Sequence, residues 1–182
     1  MKILITGATG MLGRAIVNRA LTDGLQINYL TTSVKKIDKI KGAKGFLWNI
    51  SKGELDKTCF LGVDIIINLA GSRISNLWTS KNKKNIYSSR IESTCLLFKS
   101  LKEIKSKHTV KQIVSASAIG VYPSNFDKTY DENSLISANS FMEEVVVDWE
   151  NAVDQFSHLD IKVVKLRIGL VLSKKGGVLV PL

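Results

Sequence analysis

The segment Thr6-Gly7-Ala8-Thr9-Gly10-Met11-Leu12-Gly13 constrains this chain more than any other. It joins an apolar run, Lys2–Thr6, that reads as a buried strand to a stretch, Met11–Thr22, that reads as a helix. In the latter, Leu12, Ile16, Val17 and Ala20 fall on one face. Glycines spaced by three between a strand and a helix point to a phosphate-binding turn. Gly7 permits the tight turn, Gly10 lets backbone approach a pyrophosphate, and Gly13 lets the helix pack close to the strand. The N–H groups at the helix start then face the anion. Gly7, Thr9, Gly10, Met11, Leu12 and Gly13 are therefore the candidate pyrophosphate contacts.

Beyond the turn, short apolar runs alternate with longer helical stretches. Further strands are expected at Ile27–Thr31, Gly45–Trp48, Val63–Leu69, Gln112–Ser115 and Ile161–Arg167. One long helix is expected from about Ser80 to Ser106 and another over Ser140–Phe156. Alternation of this kind implies an α/β fold, a parallel sheet covered on both faces. Right-handed crossovers lead to a doubly wound (Rossmann) sheet of about six strands, ordered 3-2-1-4-5-6. The 182 residues suffice for one domain with one substantial core, and we find no repeat or linker to divide them.

Composition removes several alternatives. With 45% apolar and 23% charged residues the chain is an ordinary globular protein, not a disordered tail. No apolar run approaches the roughly 20 residues that span a bilayer. The first residues do not form a signal peptide, and Cys59 and Cys95 lack metal-ligand spacing, so reduced thiols in a cytoplasm are expected. His108 and His158 have no clustered ligand partners and read as surface residues. The net charge of +10 is unusual, with lysines prevailing over 31–57 and 81–111 and acids over 112–160. Without interleaved aromatics this is a solvated lysine-rich surface rather than a specific nucleic-acid platform. It suits a small ligand that carries phosphate.

The end of the second strand selects between dinucleotides. An Asp or Glu there would grip the free ribose hydroxyls of NAD. This chain has Thr31, Thr32 and Ser33 instead, followed by Lys35 and Lys36. Hydroxyls and cations suit a 2′-phosphate, so NADP(H) is the preferred cofactor, with NAD(H) the alternative.

Further motifs follow in order: Asn68-Leu69-Ala70-Gly71, Trp78-Thr79, Ser89-Arg90, Ser115-Ala116-Ser117-Ala118-Ile119-Gly120, Asp148-Trp149-Glu150 and Arg167-Ile168-Gly169. Together with the glycine turn, they make the chain resemble the extended short-chain dehydrogenase/reductases of the NAD-dependent epimerase/dehydratase family. Within it, the chain looks like the atypical epimerase subgroup labelled cell-division-inhibitor-like. The resemblance covers essentially the whole chain. It implies hydride chemistry on a sugar-like or other small carbonyl substrate, and cofactor contacts at Leu69, Ala70, Gly71, Arg90 and Val171. Family members continue into a substrate-facing lobe, so residues 1–182 are expected to be the dinucleotide-binding domain with that lobe largely absent, as a fragment or a short protein.

The resemblance also exposes a departure. The family's proton chemistry uses a Tyr and a Lys four residues later, with a Ser that steadies the substrate oxygen. Ser117 occupies the serine place, but the other two places hold Phe141 and Val145, and none of the four tyrosines has a lysine four residues on. Arg90, where relatives outside the subgroup carry Asn, and Tyr122, just after the serine loop, are the candidates to compensate. Two readings stay open: an epimerase/reductase-like enzyme, and a non-catalytic dinucleotide-binding or redox-sensing module.

Overall fold

The computed structural model describes residues 1–104, 107–125, 127–136, 138–173 and 176–177. The first strand, β1 (Lys2–Thr6), and the first helix, α1 (Met11–Thr22), lie where the sequence places them. They are followed by β2 (Gln26–Thr31), β3 (Ala43–Asn49), a two-residue β4 (Glu54–Leu55) and β5 (Ile65–Asn68). Then come α2 (Ser80–Tyr87), α3 (Ser93–Glu103), β6 (Gln112–Ala118), α4 (Phe141–Asp154) and β7 (Lys162–Ile168). A small hairpin, β8 (Leu172–Ser173) with β9 (Gly176–Gly177), closes the described chain.

The sheet has seven strands in the order β4-β3-β2-β1-β5-β6-β7. Its six parallel members stand in the expected 3-2-1-4-5-6 arrangement. The seventh, β4, pairs antiparallel with the end of β3, Trp48 opposite Leu55. The expectation of six strands missed it because two residues show no periodicity.

Side-chain alternation divides the core. Ile3 and Ile5 of β1 join Val17 and Ala20 of α1 in one cluster, while Leu4 faces Leu97, Leu101, Ile113 and Trp149 on the other side. Strands buried on both faces read as continuous apolar runs, and this is why Val63–Leu69 looked longer than the four-residue β5. The strand that begins at Gln112–Ser115 runs on to Ala118, with Ser117 near its end as expected, because Ala116, Ser117 and Ala118 pair with Leu166, Arg167 and Ile168 of β7.

The expected long helix is a correction of greater consequence. Between α2 and α3 the chain makes a π-helical turn over Ser88–Glu92, and α3 ends at Glu103; the expected end at Ser106 lies outside the described residues. Side-chain hydroxyls occupy the backbone carbonyls of this turn: Ser93 Oγ donates to Ser89 O at 2.8 Å and Thr94 Oγ1 to Arg90 O at 2.6 Å. Such insertions into the helical ladder are a recognised cause of local widening. The terminal Val180-Pro181-Leu182 also lies outside the described residues. Among the described residues no helix is long and apolar enough to cross a membrane.

Candidate dinucleotide and substrate cleft

The sheet order reverses between β1 and β5, and the loops following these strands meet there. Gly7 has φ +70, and a β-carbon on it would stand 2.6 Å from Leu69 O. A β-carbon on Gly13 would stand 2.2 Å from Gly7 O and 2.7 Å from Ala8 Cα. Gly10 differs: its β-carbon would meet only Gly7 O, at 3.2 Å. Two glycines thus serve close backbone packing, and the third leaves open space in front of the turn.

The start of α1 has no side-chain cap. The first N–H groups of a helix lack intrahelical acceptors, so those of Met11, Leu12 and Gly13 are available to an anion. Arg14, which the sequence reading missed, donates from Nε to Thr9 O at 2.9 Å and adds a cation beside the turn.

Thr6 fixes the facing loop. Its Oγ1 donates to Asn68 Oδ1 at 2.7 Å and accepts the N–H groups of Leu69 and Ala70, both at 3.0 Å. Asn68 Nδ2 in turn donates to Thr94 Oγ1 and Ser115 Oγ. This buried ladder ties β1, β5, β6 and α3 together under the cleft, every member hydrogen-bonded, as a buried polar group requires.

At the other end of the cleft, Thr32, Trp48, Asn49, Ile50, Asp56 and Ser88 are among the residues lining a cavity of about 740 Å³. Of the three hydroxyl residues picked from the second strand, Thr32 alone lines this cavity. Thr31 is buried and its Oγ1 accepts Ser33 N–H at 3.2 Å, which shapes the bend instead. Lys35 and Lys36 are exposed in the short 3₁₀ turn beyond. Glu54 and Asp56 also border the cavity, two acids delivered by the β3–β4 hairpin that the strand-end pattern did not reveal.

The β6–β7 side holds a second polar network. Ser117 is buried, and its Oγ donates to Glu150 Oε1 at 2.5 Å. Arg167, opposite Ser117 on β7, donates from Nε to Glu150 Oε1 at 2.9 Å and from a terminal nitrogen to Oε2 at 3.0 Å. The other terminal nitrogen donates to Tyr122 Oη at 2.6 Å, and Tyr122 Oη donates to Asp131 O at 2.8 Å. Burial pushes the Glu150 carboxyl up, but the hydrogen bonds from Arg167 and Ser117 and the charges of Arg167 and Lys165 outweigh it and hold the group below its ordinary range. Arg167 is held in the cationic form chiefly by its bonds to Glu150. Glu150 and Arg167 were noticed in the sequence only as motif letters; their pairing spans a helix and a strand.

Arg90 emerges from the π-helical turn over the loop after β5. Its guanidinium donates to Ser72 O at 3.2 Å and to Ile86 O at 3.3 Å, and lies 5.4 Å from the centre of the Trp149 ring. A β-carbon on Gly71 would stand 3.0 Å from it, so the missing side chain makes this approach possible. Phe141 begins α4, edge-on to Trp78 with Lys83 Nζ 5.0 Å over its ring, and Val145 is buried in the core. Neither can move a proton. Val171 is half-buried between β7 and β8. His108 is half-buried rather than on the surface, its Nδ1 without a partner among the described residues; His158 is exposed. No group of metal-ligating side chains occurs among the described residues.

A doubly wound sheet with a glycine turn at its switch point defines a Rossmann-type α/β protein with a nucleotide-sized cleft. The sequence profile of the NAD dependent epimerase/dehydratase family matches residues 3–144, and the chain belongs to that family. It is 36% identical over 180 residues to the chloroplastic homologue of epimerase family protein SDR39U1 from Arabidopsis thaliana, covering 98% of this chain and 51% of that one. The chain therefore spans about half the length of that curated relative. Among solved structures it resembles human epimerase family protein SDR39U1 with NADPH, at 24% identity and a TM-score of 0.78, covering 98% of this chain and 57% of that one. It also resembles UDP-glucuronic acid 4-epimerase from Bacillus cereus in complex with NAD, at 18% identity and a TM-score of 0.75, covering 97% and 59%. At these identities the two structures speak for the fold alone.

Proposed function

We propose that this chain binds a nicotinamide dinucleotide across the cleft, NADP(H) in preference to NAD(H), and forms the cofactor half of an epimerase/reductase-like protein acting on a small carbonyl or hydroxy compound. The observation that carries the reading is the uncapped start of α1 behind an open Gly10, facing a loop that Thr6 holds in place. The amides of Met11, Leu12 and Gly13 and the Arg14 cation hold the pyrophosphate. Thr32 and the lysines at 35 and 36 hold the ribose phosphate, and the cavity beside Trp48 and Ile50 takes the adenosine end. The preference rests on Thr32 and the two lysines, since human SDR39U1 was solved with NADPH and the Bacillus cereus epimerase with NAD; Glu54 and Asp56 at the cavity oppose it. Asp56 is tied to the following 3₁₀ turn, its Oδ1 accepting from Thr58 N at 3.0 Å and from Thr58 Oγ1 at 2.6 Å.

The bound dinucleotide would donate or accept the hydride at the substrate carbon. Ser117, Arg90 and Tyr122 are the polar groups proposed to act on the substrate from the β6 side. Ser117 already donates its proton to Glu150, so its oxygen is left as an acceptor. Tyr122 likewise donates to a backbone carbonyl. A second reading, a non-catalytic dinucleotide-binding module, is favoured by these committed hydroxyls and by Phe141 and Val145.

Fluorescence titration with NADPH and NADH tests the binding. Saturable binding with NADPH tighter than NADH is expected, and Thr32→Asp should lower that ratio by repelling the 2′-phosphate. Tighter binding of NADH by the unaltered chain overturns the preference, and binding of neither overturns the reading. Turnover with aldehyde, quinone and sugar-nucleotide substrates separates the enzyme from the module.

A further inference from the structure

Arg90 is a half-buried cation without a counter-ion. Among the described residues no carboxylate lies within ion-pair distance of it, and burial lowers its proton affinity with no charged partner to offset the effect. A buried charge is retained in folded proteins when something compensates it. The face of Trp149 and two backbone carbonyls do part of this. A guanidinium has five N–H groups, and two are engaged, one on each terminal nitrogen. Nε–H and one N–H on each terminal nitrogen remain, enough for the paired contacts by which arginine grips a carboxylate.

Several features hold the guanidinium where it is. The π-helical turn carries Arg90 inward, Ser89 Oγ accepts the N–H of Ser72, and the absence of a side chain at Gly71 admits the group. Its position separates it from the pyrophosphate. The loop 69–71 runs between the glycine turn and Arg90, and Arg90 leans on Trp149 of α4, the helix that also supplies Glu150 to Ser117. The cation therefore lies on the far side of that loop from the glycine turn, toward α4, at the end of the sheet where ligands bind in doubly wound folds.

We propose that Arg90 is the binding site for a carboxylate of the second substrate, so that the compound processed by this protein is an anion, a small hydroxy or keto acid. This rests on the dinucleotide reading above. It assigns Arg90 to substrate binding rather than to the cofactor, and it gives the isolated cation its counter-charge.

The test uses oxalate as the carboxylate probe and inorganic phosphate as the control anion. Each is titrated by calorimetry onto protein saturated with NADP⁺, using the unaltered chain, Arg90→Met and Arg90→Lys, with circular dichroism and NADPH affinity recorded for all three. The expected result is saturable oxalate binding, weakened about tenfold or more in Arg90→Met, partly retained in Arg90→Lys, and NADPH affinity unchanged within about twofold. Oxalate binding indifferent to Arg90, or absent from the unaltered chain while NADPH binds, overturns the proposal. Phosphate binding more tightly than oxalate overturns the carboxylate assignment, and loss of NADPH affinity in folded Arg90→Met and Arg90→Lys assigns the guanidinium to the cofactor instead. Failure of the unaltered chain to bind NADPH at all defeats the underlying cofactor reading.

Discussion

Gly10 and Gly13 sit three residues apart in one motif, yet the space around them differs. A branched side chain at Gly10 would meet a single backbone oxygen and project into the space in front of the turn. Gly10→Val should leave a folded protein whose dinucleotide affinity falls about tenfold or more, about 1.4 kcal/mol. At Gly13 even one methyl group would stand 2.2 Å from Gly7 O, closer than packed atoms come. Gly13→Ala should therefore lower the denaturant midpoint as well as binding, by roughly 1–3 kcal/mol of overpacking. Parallel urea melts and NADPH titrations of the two variants check the contrast; equal stability of both would refute the division of roles.

The elements β6, β7 and α4 are joined by the carboxylate of Glu150, which is 4% exposed. Removing its charge in Glu150→Gln leaves the half-buried Arg167 without its counter-ion, although Tyr122 Oη still accepts from it, a loss of roughly 1–3 kcal/mol. The pH dependence follows from the lowered proton affinity. The native carboxyl titrates below its ordinary value of 4.5, so the unfolded chain takes up the proton first as the solution is acidified. The contribution is complete above pH 4.5 and is lost as the pH falls through the lower, folded-state value. Urea melts at intervals below pH 5 should show a steeper decline for the unaltered chain than for Glu150→Gln. Parallel declines would mean that Glu150 titrates alike in the two states. Ser117 shares this network, so Ser117→Ala should also weaken it, without changing the net charge.

Over the whole molecule, a ligand that binds the folded state alone raises stability by mass action. At a hundredfold excess over the dissociation constant the gain is about 2.7 kcal/mol, which in a chain of this size raises the melting temperature by roughly 5–10 °C. NADPH should produce such a shift in a thermal melt, and AMP a smaller one, because the sites for its parts lie on separate loops of one sheet. The net charge of +10 adds a control. Non-specific retention of DNA should vanish between low and moderate salt, with the steep dependence of counter-ion release. The NADPH shift should persist, since it depends on oriented amides and a shaped cleft. Loss of both together would mean that the basic surface alone binds the dinucleotide.

How much of this was legible in the sequence depended on the range of the interaction. The glycine turn, the α/β alternation and the strand order could be read because they follow from local conformation and from the period of buried side chains; Lys2–Thr6 and Met11–Thr22 fell where the letters put them. The absence of proton chemistry at Phe141 and Val145 was equally visible, since it is a matter of residue type. The two-residue β4 and the π-helical turn were not, because neither has a period and both depend on hydrogen bonds made elsewhere. Nor could spacing show that Thr31 turns inward while Thr32 lines the cavity, or that two acids reach it from the neighbouring hairpin. The bonds that Glu150 accepts from Ser117 and Arg167 span 33 and 17 positions, and the isolation of Arg90 is a property of everything around it. Local patterns determined the fold and the glycine turn from sequence alone. Which side chains meet in the cleft was decided only by tertiary packing, because contact and counter-charge depend on distances that the order of residues does not contain.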